Sequence, residues 1–226
     1  MNVVLIPAAG SGTRMGGDVP KQFLLLAGVP ILARTLARFQ ESPEIAEIIV
    51  AAPAEFHERV RAIAREHGIT KLTEVVAGGN TRQQSVWNAL QSVPGNAKIV
   101  LVHDAVRPFV AAEDIHSVIE AAERHGAAIL AARMKDTVKS ADESGFVVNT
   151  LDRNYLWSVQ TPQAFRRSIL YDALRKAAQE EYIGTDEASA VEFNGGEVKI
   201  VEARDGNMKI TTQGDLLIAE AVLAQL

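Results

Sequence analysis

Short apolar runs alternate with amphipathic stretches along the first part of the chain. The apolar runs predict strands at residues 3–6, 47–52, 72–76, 99–103 and 127–133. The amphipathic stretches predict helices at residues 30–40, 55–67, 81–93 and 112–125. Such alternation is typical of repeated βα units, in which helices cover both faces of a mainly parallel sheet. The pattern therefore predicts a doubly wound, mostly parallel α/β domain of Rossmann-like type.

The alternation changes after Arg133, where two strand-like segments flank a polar turn. Residues 136–139 and 146–151 have strand character, and residues 140–145 read Ser-Ala-Asp-Glu-Ser-Gly. We predict a protruding β-hairpin arm over residues 136–151. A two-stranded arm is only marginally stable alone in water, so it packs on its own domain or on a second copy of the chain. We predict a homodimer through this arm.

Beyond the arm the pattern is again mainly helical. It predicts helices at residues 166–180, 186–193 and 212–226, one strand at 198–201, and no regular element at 152–165. Thr212 with Asp215 resembles a capping box. Thr185 has the residue type of an N-cap for the helix at 186–193, which is a structural explanation for its presence.

The composition fits a single domain over residues 1–226. Hydrophobic residues make up 47% and charged residues 23%, which excludes disordered and fibrous classes. The net charge of −5 argues against a nucleic-acid surface and leaves a small anionic ligand as the expected partner. The sequence has no cysteine, so disulfides, thiolate zinc sites and cysteine nucleophiles are excluded. No apolar run reaches the length of a membrane span, and we expect a cytoplasmic protein.

A glycine-rich segment follows the first predicted strand. Between Pro7 and Lys21 it carries glycines at positions 10, 12, 16 and 17 and two cations, Arg14 and Lys21. Glycines let backbone N–H groups converge on phosphate oxygens. A guanidinium and an ammonium beside them stabilise the charge that develops when a phosphate attacks the α-phosphorus of a nucleotide. We therefore predict Arg14 and Lys21 as catalytic; the attacking phosphate is already largely a dianion and requires no general base.

Two other phosphate-binding loops do not fit this segment. The dinucleotide fingerprint requires a glycine where Met15 stands, and the strand at 47–52 ends without an acidic residue for a ribose. A Walker A loop requires lysine where Asp18 stands. NAD, FAD and P-loop ATPase chemistry are therefore disfavoured.

A polar turn follows the predicted strand at residues 99–103. Open α/β sheets bind ligands at the carboxyl ends of their strands, which brings Asp104 and Arg107 beside the glycine-rich segment. Asp104 can orient a ribose hydroxyl or hold a water of a phosphate-bound Mg²⁺. Arg107 either contacts the ligand or forms a salt bridge that shapes the loop. His103 is expected to serve packing.

The turn at residues 78–85 precedes a predicted helix. Backbone groups at Gly79 and Asn80, together with the Ser85 hydroxyl, can face the polar edge of a cytosine. An equally good interpretation is a helix cap formed by Asn80 or Thr81.

An ordered set of motifs closely resembles the 2-C-methyl-D-erythritol 4-phosphate cytidylyltransferase family. The motifs are residues 7–21, 78–85, 103–108 (His-Asp-Ala-Val-Arg-Pro), 136–137, 152–154, 160–163 (Gln-Thr-Pro-Gln), 185–190 (Thr-Asp-Glu-Ala-Ser-Ala) and 207–211 (Asn-Met-Lys-Ile-Thr). The resemblance implies a nucleotidyltransferase sheet and transfer of CMP from CTP to methylerythritol 4-phosphate, with Mg²⁺ and release of pyrophosphate, in non-mevalonate isoprenoid biosynthesis.

The resemblance also implies site residues. Arg14 and Lys21 are similar to the family's transition-state cations. The residues similar to its nucleotide site are Ala8, Ala9, Gly10, Gly12, Gly79, Asn80, Ser85, Asp104 and Ala105. The residues similar to its acceptor site are Asp104, Arg107, Thr161, Thr185 and Lys209, together with Thr137 and Arg153, which in the family reach from the arm into the partner's site. Asn80 departs from the aspartate that the pattern favours, so its side chain cannot act as an anion.

Two alternative functions belong beside this one. A ribitol-5-phosphate cytidylyltransferase has the same loop and chemistry, but Pro7-Ala8-Ala9 and residues 185–189 favour the methylerythritol enzyme. A non-catalytic module that senses CTP is disfavoured by Arg14 and Lys21, because a sensor needs no cations at a leaving pyrophosphate.

Overall fold

The structure, a computed structural model, describes residues 1–10 and 19–225. Its strands are β1 (Asn2–Pro7), β2 (Leu25–Leu26), β3 (Val29–Pro30), β4 (Ile45–Ala52), β5 (Leu72–Ala77), β6 (Ile99–Val102), β7 (Ala127–Arg133), β8 (Lys139–Ala141), β9 (Val147–Thr150), β10 (Trp157–Arg166) and β11 (Lys199–Glu202). Its α-helices are α1 (Ile31–Glu41), α2 (His57–Glu66), α3 (Arg82–Leu90), α4 (Ala112–His125), α5 (Arg167–Gln179), α6 (Glu187–Phe193) and α7 (Gln213–Leu223). Within these ranges no helix has the length and apolar character that a membrane crossing requires.

The central sheet has the order β11-β7-β10-β6-β1-β4-β5 among the described strands. Neighbouring strands run parallel, except that β10 runs antiparallel to both β6 and β7. The predicted mostly parallel α/β sheet is therefore confirmed. The helix predicted at 81–93 is shorter than expected and ends at Leu90.

Strand β1 shows how helices cover both faces of this sheet. Val4 and Ile6 belong to a buried cluster with residues of α1, α2 and α4. Val3 and Leu5 belong to a second cluster with residues of α3, α5 and α6. Successive side chains of a strand point to opposite faces, so a strand covered on both sides must be apolar throughout. The doubly wound arrangement explains why the run reads without polar interruption.

The sequence pattern missed β10, which lies in the interior of the sheet. Its residues 163–166 pair with β6, and residues 163–165 continue its pairing with β7. Gln160, Thr161 and Gln163 interrupt its apolar character, and Pro162 has no N–H to donate. The pairing with β7 is also irregular between Val159 and Gln163. These features gave the segment the character of a loop in the sequence.

The region after β7 contains a short hairpin. Strands β8 and β9 pair antiparallel and form a two-stranded sheet of their own. The first strand begins only at Lys139, so its predicted position at 136–139 was wrong by most of its length. Phe146, Val147 and Val148 are exposed on this hairpin. Its function as a dimerisation arm stays a prediction.

Capping residues fix the starts of α6 and α7. The predicted capping box of Thr212 and Asp215 is confirmed at α7. The interpretation of Thr185 as an N-cap was wrong, because Asp186 caps α6 and its carboxylate accepts from Ser189 N at 2.9 Å. Thr185 therefore stands one residue before the cap, and its presence needs another explanation.

Candidate active site

Two adjoining cavities open at the carboxyl ends of β1 and β6. The first cavity, about 180 Å³, lies between the end of β1, the turn before α3 and the turn after β6. The second cavity, about 240 Å³, lies between the turn after β6, strand β10 and the segment before α6. Arg82, Asp104 and Lys209 line both cavities. The two spaces are therefore neighbours with one shared wall at the edge where an open α/β sheet binds its ligands.

Backbone and small side chains form the first cavity at the end of β1. Ala8 N donates to Ala51 O at 2.7 Å, and Gln22 Nε2 donates to Ala8 O at 2.6 Å. The backbone of Ala8 is thus held on both sides. A Cβ added at Gly78 would lie 2.3 Å from the Cβ of Ala9. Glycine at position 78 therefore allows the turn before α3 to close against the end of β1.

The turn before α3 is held by its own hydrogen bonds. Gly79 N donates to Ser85 Oγ at 3.0 Å, and Ser85 Oγ donates to Thr81 O at 3.0 Å. Thr81 caps α3, since its hydroxyl accepts from Gln84 N at 3.0 Å. Of the two residues considered for the cap, Thr81 is the one used, and Asn80 is exposed on the cavity wall. Ser85 is buried and orients the turn through its hydroxyl.

Asp104 is the central anion of the shared wall. Its Oδ1 accepts from Arg82 Nε at 3.3 Å. Its Oδ2 lies 3.3 Å from Arg107 Nε and 2.9 Å from Lys209 Nζ. Burial alone would raise the pKa of Asp104, but the neighbouring cations, Arg82 and Lys209 foremost, outweigh burial and hold this pKa well below its ordinary value. Asp104 is therefore a carboxylate at neutral pH.

Arg82 joins Asp104 to a second buried carboxylate. Its Nη1 lies 2.7 Å from both Oε1 and Oε2 of Glu187, whose side chain is 1% exposed. Burial raises the pKa of Glu187, and the charge of Arg82 opposes that rise. Burial would lower the pKa of Arg82, but Glu187 and Asp104 reverse the effect and raise it. Removing either partner would leave the other group buried without its opposite charge, which is costly.

Thr161 holds the backbone of Asp104, and His103 contacts Thr161 in turn. His103 is fully buried; its Nε2 lies 3.0 Å from Arg107 O and its Nδ1 lies 3.1 Å from Thr161 Oγ1. Asp104 N in turn donates to Thr161 Oγ1 at 3.0 Å. Burial lowers the pKa of His103 to about 4, so the imidazole is neutral at pH 7. These contacts agree with the expectation that His103 serves packing.

Arg107 is anchored within the protein. Besides its contact with Asp104, its Nη1 donates to Asn207 O at 2.8 Å, and the residue is 9% exposed. The salt bridge considered for Arg107 is therefore present. The side chain also lines the second cavity, so its contact with a ligand stays a prediction.

The segment before α6 is fixed by side chains from two other elements. Gln83 of α3 donates to Tyr182 O at 3.0 Å and accepts from Gly184 N at 2.9 Å. Gln163 of β10 donates to Asp186 Oδ2 at 2.8 Å and accepts from Ala188 N at 3.1 Å. These four hydrogen bonds hold the segment against the second cavity, which Thr185 lines.

The chain's similarity to known proteins decides its family. The family model for IspD, 2-C-methyl-D-erythritol 4-phosphate cytidylyltransferase, matches residues 2–225. The chain belongs to this family. A 2-C-methyl-D-erythritol 4-phosphate cytidylyltransferase from Syntrophus aciditrophicus (strain SB) is 46% identical over 222 residues, which cover 98% of this chain and 95% of the relative. The predicted family and the predicted enzyme class, a cytidylyltransferase, are confirmed.

Solved structures of the same family share the fold. The crystal structure of the Francisella tularensis 2-C-methyl-D-erythritol 4-phosphate cytidylyltransferase is 36% identical with a TM-score of 0.83, and the match covers 100% of this chain and 99% of that one. The 4-diphosphocytidyl-2C-methyl-D-erythritol synthase of Anaerococcus prevotii DSM 20548 is 33% identical with a TM-score of 0.87, over 99% of this chain and 96% of that one.

The predicted site residues of this cytidylyltransferase divide between the two cavities. Those predicted for the nucleotide, within the described ranges, all line the first cavity: Ala8, Ala9, Gly10, Gly79, Asn80, Ser85, Asp104 and Ala105. The second cavity is lined by five of the residues predicted for the acceptor: Asp104, Arg107, Thr161, Thr185 and Lys209. Two others predicted for the acceptor are exceptions and do not line it. Lys21 lines the first cavity, whereas Arg14 and Gly12 lie outside the described residues. Their individual roles stay predictions.

The two exceptions are Thr137 and Arg153. Both are exposed and line neither cavity, and Arg153 Nη1 donates to Lys135 O at 2.8 Å. A role in a partner's site therefore stays a prediction.

Sequence reasoning missed Arg82 and Glu187. Both lie inside motifs of the resemblance, residues 78–85 and 185–190, but neither was singled out. An acidic residue in the first turn of a helix is ordinary, so the type and position of Glu187 gave no signal; its burial, which calls for a cation, does not show in the sequence.

No metal site made by protein groups alone lies in residues 1–10 and 19–225, because no cluster of three His, Cys, Asp or Glu side chains occurs there. Asp104 is the acidic residue that lines both cavities, and both of its oxygens face cations of the protein. It does not fit a direct ligand of Mg²⁺ in this arrangement.

Proposed function

We propose that this family member transfers CMP from CTP to 2-C-methyl-D-erythritol 4-phosphate. The phosphate oxygen of the acceptor forms a bond to the α-phosphorus, the bond from that phosphorus to the β-phosphate bridging oxygen breaks, and pyrophosphate leaves. The products are 4-diphosphocytidyl-2-C-methyl-D-erythritol and pyrophosphate. One observation carries the proposal besides family membership. Two cavities, one lined largely by backbone and small residues together with Lys21 and one lined by polar and charged side chains, share Arg82, Asp104 and Lys209.

The first cavity suits the nucleotide. Backbone groups near Ala8, Gly10 and Gly79 offer N–H and C=O groups with fixed directions, which suit the polar edge of a base and phosphate oxygens. Asp104, held as a carboxylate, can accept from a ribose hydroxyl at the inner end of this cavity. The nucleotide would thus enter with its triphosphate toward the glycine-rich segment.

The second cavity suits the acceptor phosphate. Arg82, Arg107 and Lys209 are close to the carboxyl groups of Asp104 and Glu187, so this cavity has three cations on or beside its wall that could meet a phosphate. The Lys209 side chain is 38% exposed, compared with 11% for Arg107. Lys209 is therefore the cation best placed to contact an entering phosphate, with Thr185 on the same wall.

Catalysis in this proposal is electrostatic. Lys21 lies on the wall of the first cavity and, with Arg14, would stabilise negative charge on the transferring phosphorus and on the leaving pyrophosphate. The acceptor phosphate attacks as a dianion, so no side chain has to remove a proton. These cations distinguish a transferase from a module that only senses CTP.

We propose Mg²⁺ as the cofactor, held by the triphosphate rather than by protein ligands. When bound it supplies positive charge that neutralises phosphate oxygens. Asp104 would reach it only through a water molecule, since both carboxylate oxygens already face cations.

We also propose a homodimer through the hairpin, with Thr137 and Arg153 facing the partner's site. The exposed apolar residues Phe146, Val147 and Val148 support this, because such a patch on a marginal two-stranded sheet is unstable in water. Deleting residues 136–151 should halve the mass measured by light scattering, and an unchanged mass would contradict the dimer. The substitution Leu217→Asp, at an exposed apolar position of α7, is the control and should leave the mass unchanged.

The absence of cysteine from the sequence is compatible with the cytoplasm, the compartment we propose.

The test of the reaction is pyrophosphate release. Each nucleoside triphosphate is supplied with 2-C-methyl-D-erythritol 4-phosphate or with ribitol 5-phosphate. We expect release only with CTP and methylerythritol phosphate. Faster release with ribitol 5-phosphate would identify the alternative cytidylyltransferase, and CTP binding without any release would identify a sensor.

A further inference from the structure

Arg82 occupies an unusual position for a side chain of α3. It stands in the first turn of the helix that follows the nucleotide-side turn and lines both cavities, yet its Nη1 reaches Glu187 at the start of α6. Its Nε also contacts Asp104. One planar group thus connects the start of α6 to the turn after β6, which a guanidinium can do because its donors form a rigid fork.

The next residue reinforces the same connection. Gln83 pairs with the backbone of Tyr182 and Gly184, immediately before Thr185. Arg82 pairs with both carboxylate oxygens of Glu187, two residues after Thr185. The start of α3 therefore holds the segment that carries Thr185 on both sides of that residue.

The nucleotide-side turn does not depend on the Arg82 side chain. Its hydrogen bonds join Gly79 to Ser85, Ser85 to the backbone of Thr81, and Gln84 to the Thr81 hydroxyl. None of these contacts uses the guanidinium. Removing the guanidinium should therefore disturb the second cavity more than the first.

Lys209 is the third cation beside Asp104 and the one that can turn toward a ligand. Its ammonium now pairs with Asp104 Oδ2, but it is the most exposed cation of the cluster and lies on a flexible stem. When it turns toward a phosphate, Asp104 remains held through Oδ1 by Arg82 and through Oδ2 by Arg107. The buried carboxylate then never loses all of its partners.

We propose that Arg82 is a positioning residue for the acceptor: it fixes Thr185 through Glu187 and holds Asp104 in place while Lys209 contacts the acceptor phosphate. The inference rests on the proposed function, since it assigns the second cavity to the acceptor. It assigns no contact between Arg82 and substrate.

The experiment compares Arg82→Gln with the double variant Arg82→Gln/Glu187→Gln. In the single variant Glu187 stays buried without its cation, so the melting temperature should fall. In the double variant both charges are gone, and the melting temperature should recover most of that loss. In both variants the KM for methylerythritol phosphate should rise about tenfold or more, because the acceptor wall is misplaced. The Kd for CTP, measured by calorimetry, should rise by a clearly smaller factor than this KM, because Arg107 still holds Asp104 and the turn before α3 keeps its own hydrogen bonds.

A matched control is Arg61→Gln on α2, which breaks the exposed Arg61–Glu58 pair far from both cavities and should change neither constant. Arg82→Lys should give an intermediate KM, because a point charge cannot hold both carboxylates as the guanidinium does. An acceptor KM that returns to the parent value in the double variant would overturn the positioning role and leave a purely structural one. A parent protein without turnover would overturn the proposed function and this inference with it, whereas an active parent with unaffected variants overturns the inference alone.

Discussion

The first and second cavities share Asp104 but are made of different groups. In the first, Ala8, Gly79 and their neighbours present backbone, and the turns are closed by hydrogen bonds of ordinary length. In the second, Arg82 pairs with Glu187, whose side chain is 1% exposed. The first cavity is thus defined by shape, and the second by a balance of charges.

This difference predicts different sensitivities. Backbone groups cannot titrate or move away, so the first cavity should respond to added volume and hardly to pH. Buried ion pairs cost desolvation and tolerate the loss of a partner poorly, so the second should respond to changes of charge. Lys21 lines the first cavity but not the second, whereas Arg82, Asp104 and Lys209 line both.

The largest effect is expected from Lys21→Ala. Loss of a charge that acts on the transferring phosphorus should lower kcat by roughly two to four orders of magnitude, with the melting temperature nearly unchanged. Single-turnover kinetics with CTP and methylerythritol phosphate measures it. Near-parent turnover would remove Lys21 from the chemistry and leave it a residue of the cavity wall.

The next effect is expected from Gly78→Ala, which adds volume and no charge. The new Cβ would meet the Cβ of Ala9 at 2.3 Å, so one of the two turns must shift. We expect the KM for CTP to rise by roughly one to two orders of magnitude, on the scale of a misplacement of about an ångström. Gly95→Ala is the control, because its added Cβ meets nothing within 4 Å. An equal rise in both variants would show that shape is not what the first cavity recognises.

A third prediction concerns His103 and acid. Burial lowers its pKa from 6.5 to about 4, so between these values the unfolded chain binds a proton that the folded protein does not. The free energy of unfolding is therefore highest above pH 6.5 and falls as the pH drops toward 4, by about 2–3 kcal/mol from this residue at about pH 4.5.

Urea unfolding at pH 7 and about pH 4.5 measures this loss. His103→Gln should show a smaller decrease on acidification than the parent, and the exposed His116→Gln should behave like the parent. Equal decreases in all three proteins would mean that protonation of His103 does not cause this pH dependence.

The smallest effect is expected from Lys209→Gln. The amide keeps much of the length of the side chain but loses the charge, so the KM for the acceptor should rise about tenfold while the Kd for CTP stays near the parent value. Because the effect is electrostatic, raising the salt concentration should weaken acceptor binding in the parent more than in the variant. A larger change in CTP affinity than in acceptor KM would reverse the assignment of the two cavities.

Sequence reasoning reached most of the fold because most strands of the central sheet contain a run of apolar residues. Strand β6 and strand β7 were placed closely from their runs of aliphatic residues. Strand β10 was not, since Thr161 and Gln163 are polar for a reason that appears only in three dimensions: one holds Asp104 and the other holds the segment before α6. A pattern of local periodicity cannot register that long-range use.

The site shows the same limit. Residues just after strand ends, such as Asp104 and Gly79, could be proposed from topology alone. The partnership of Arg82 with Glu187 joins residues 105 positions apart, and its strength depends on burial that the sequence does not display. Thr185 was assigned a capping role by residue type, but the neighbouring Asp186 has the better reach.

Strand β10 also determines when the central sheet can be completed during synthesis, because it lies between β6 and β7 but follows both in the chain. Strands β5, β4, β1 and β6 form one half of the sheet, and β7 with β11 forms the other; among the described strands, β10 is the one that joins them. Until residues 157–166 have left the ribosome, β6 and β7 each present an unpaired edge, the surface on which nascent chains associate wrongly. A chain released before Trp157 should therefore be insoluble even though it contains the whole of the glycine-rich segment.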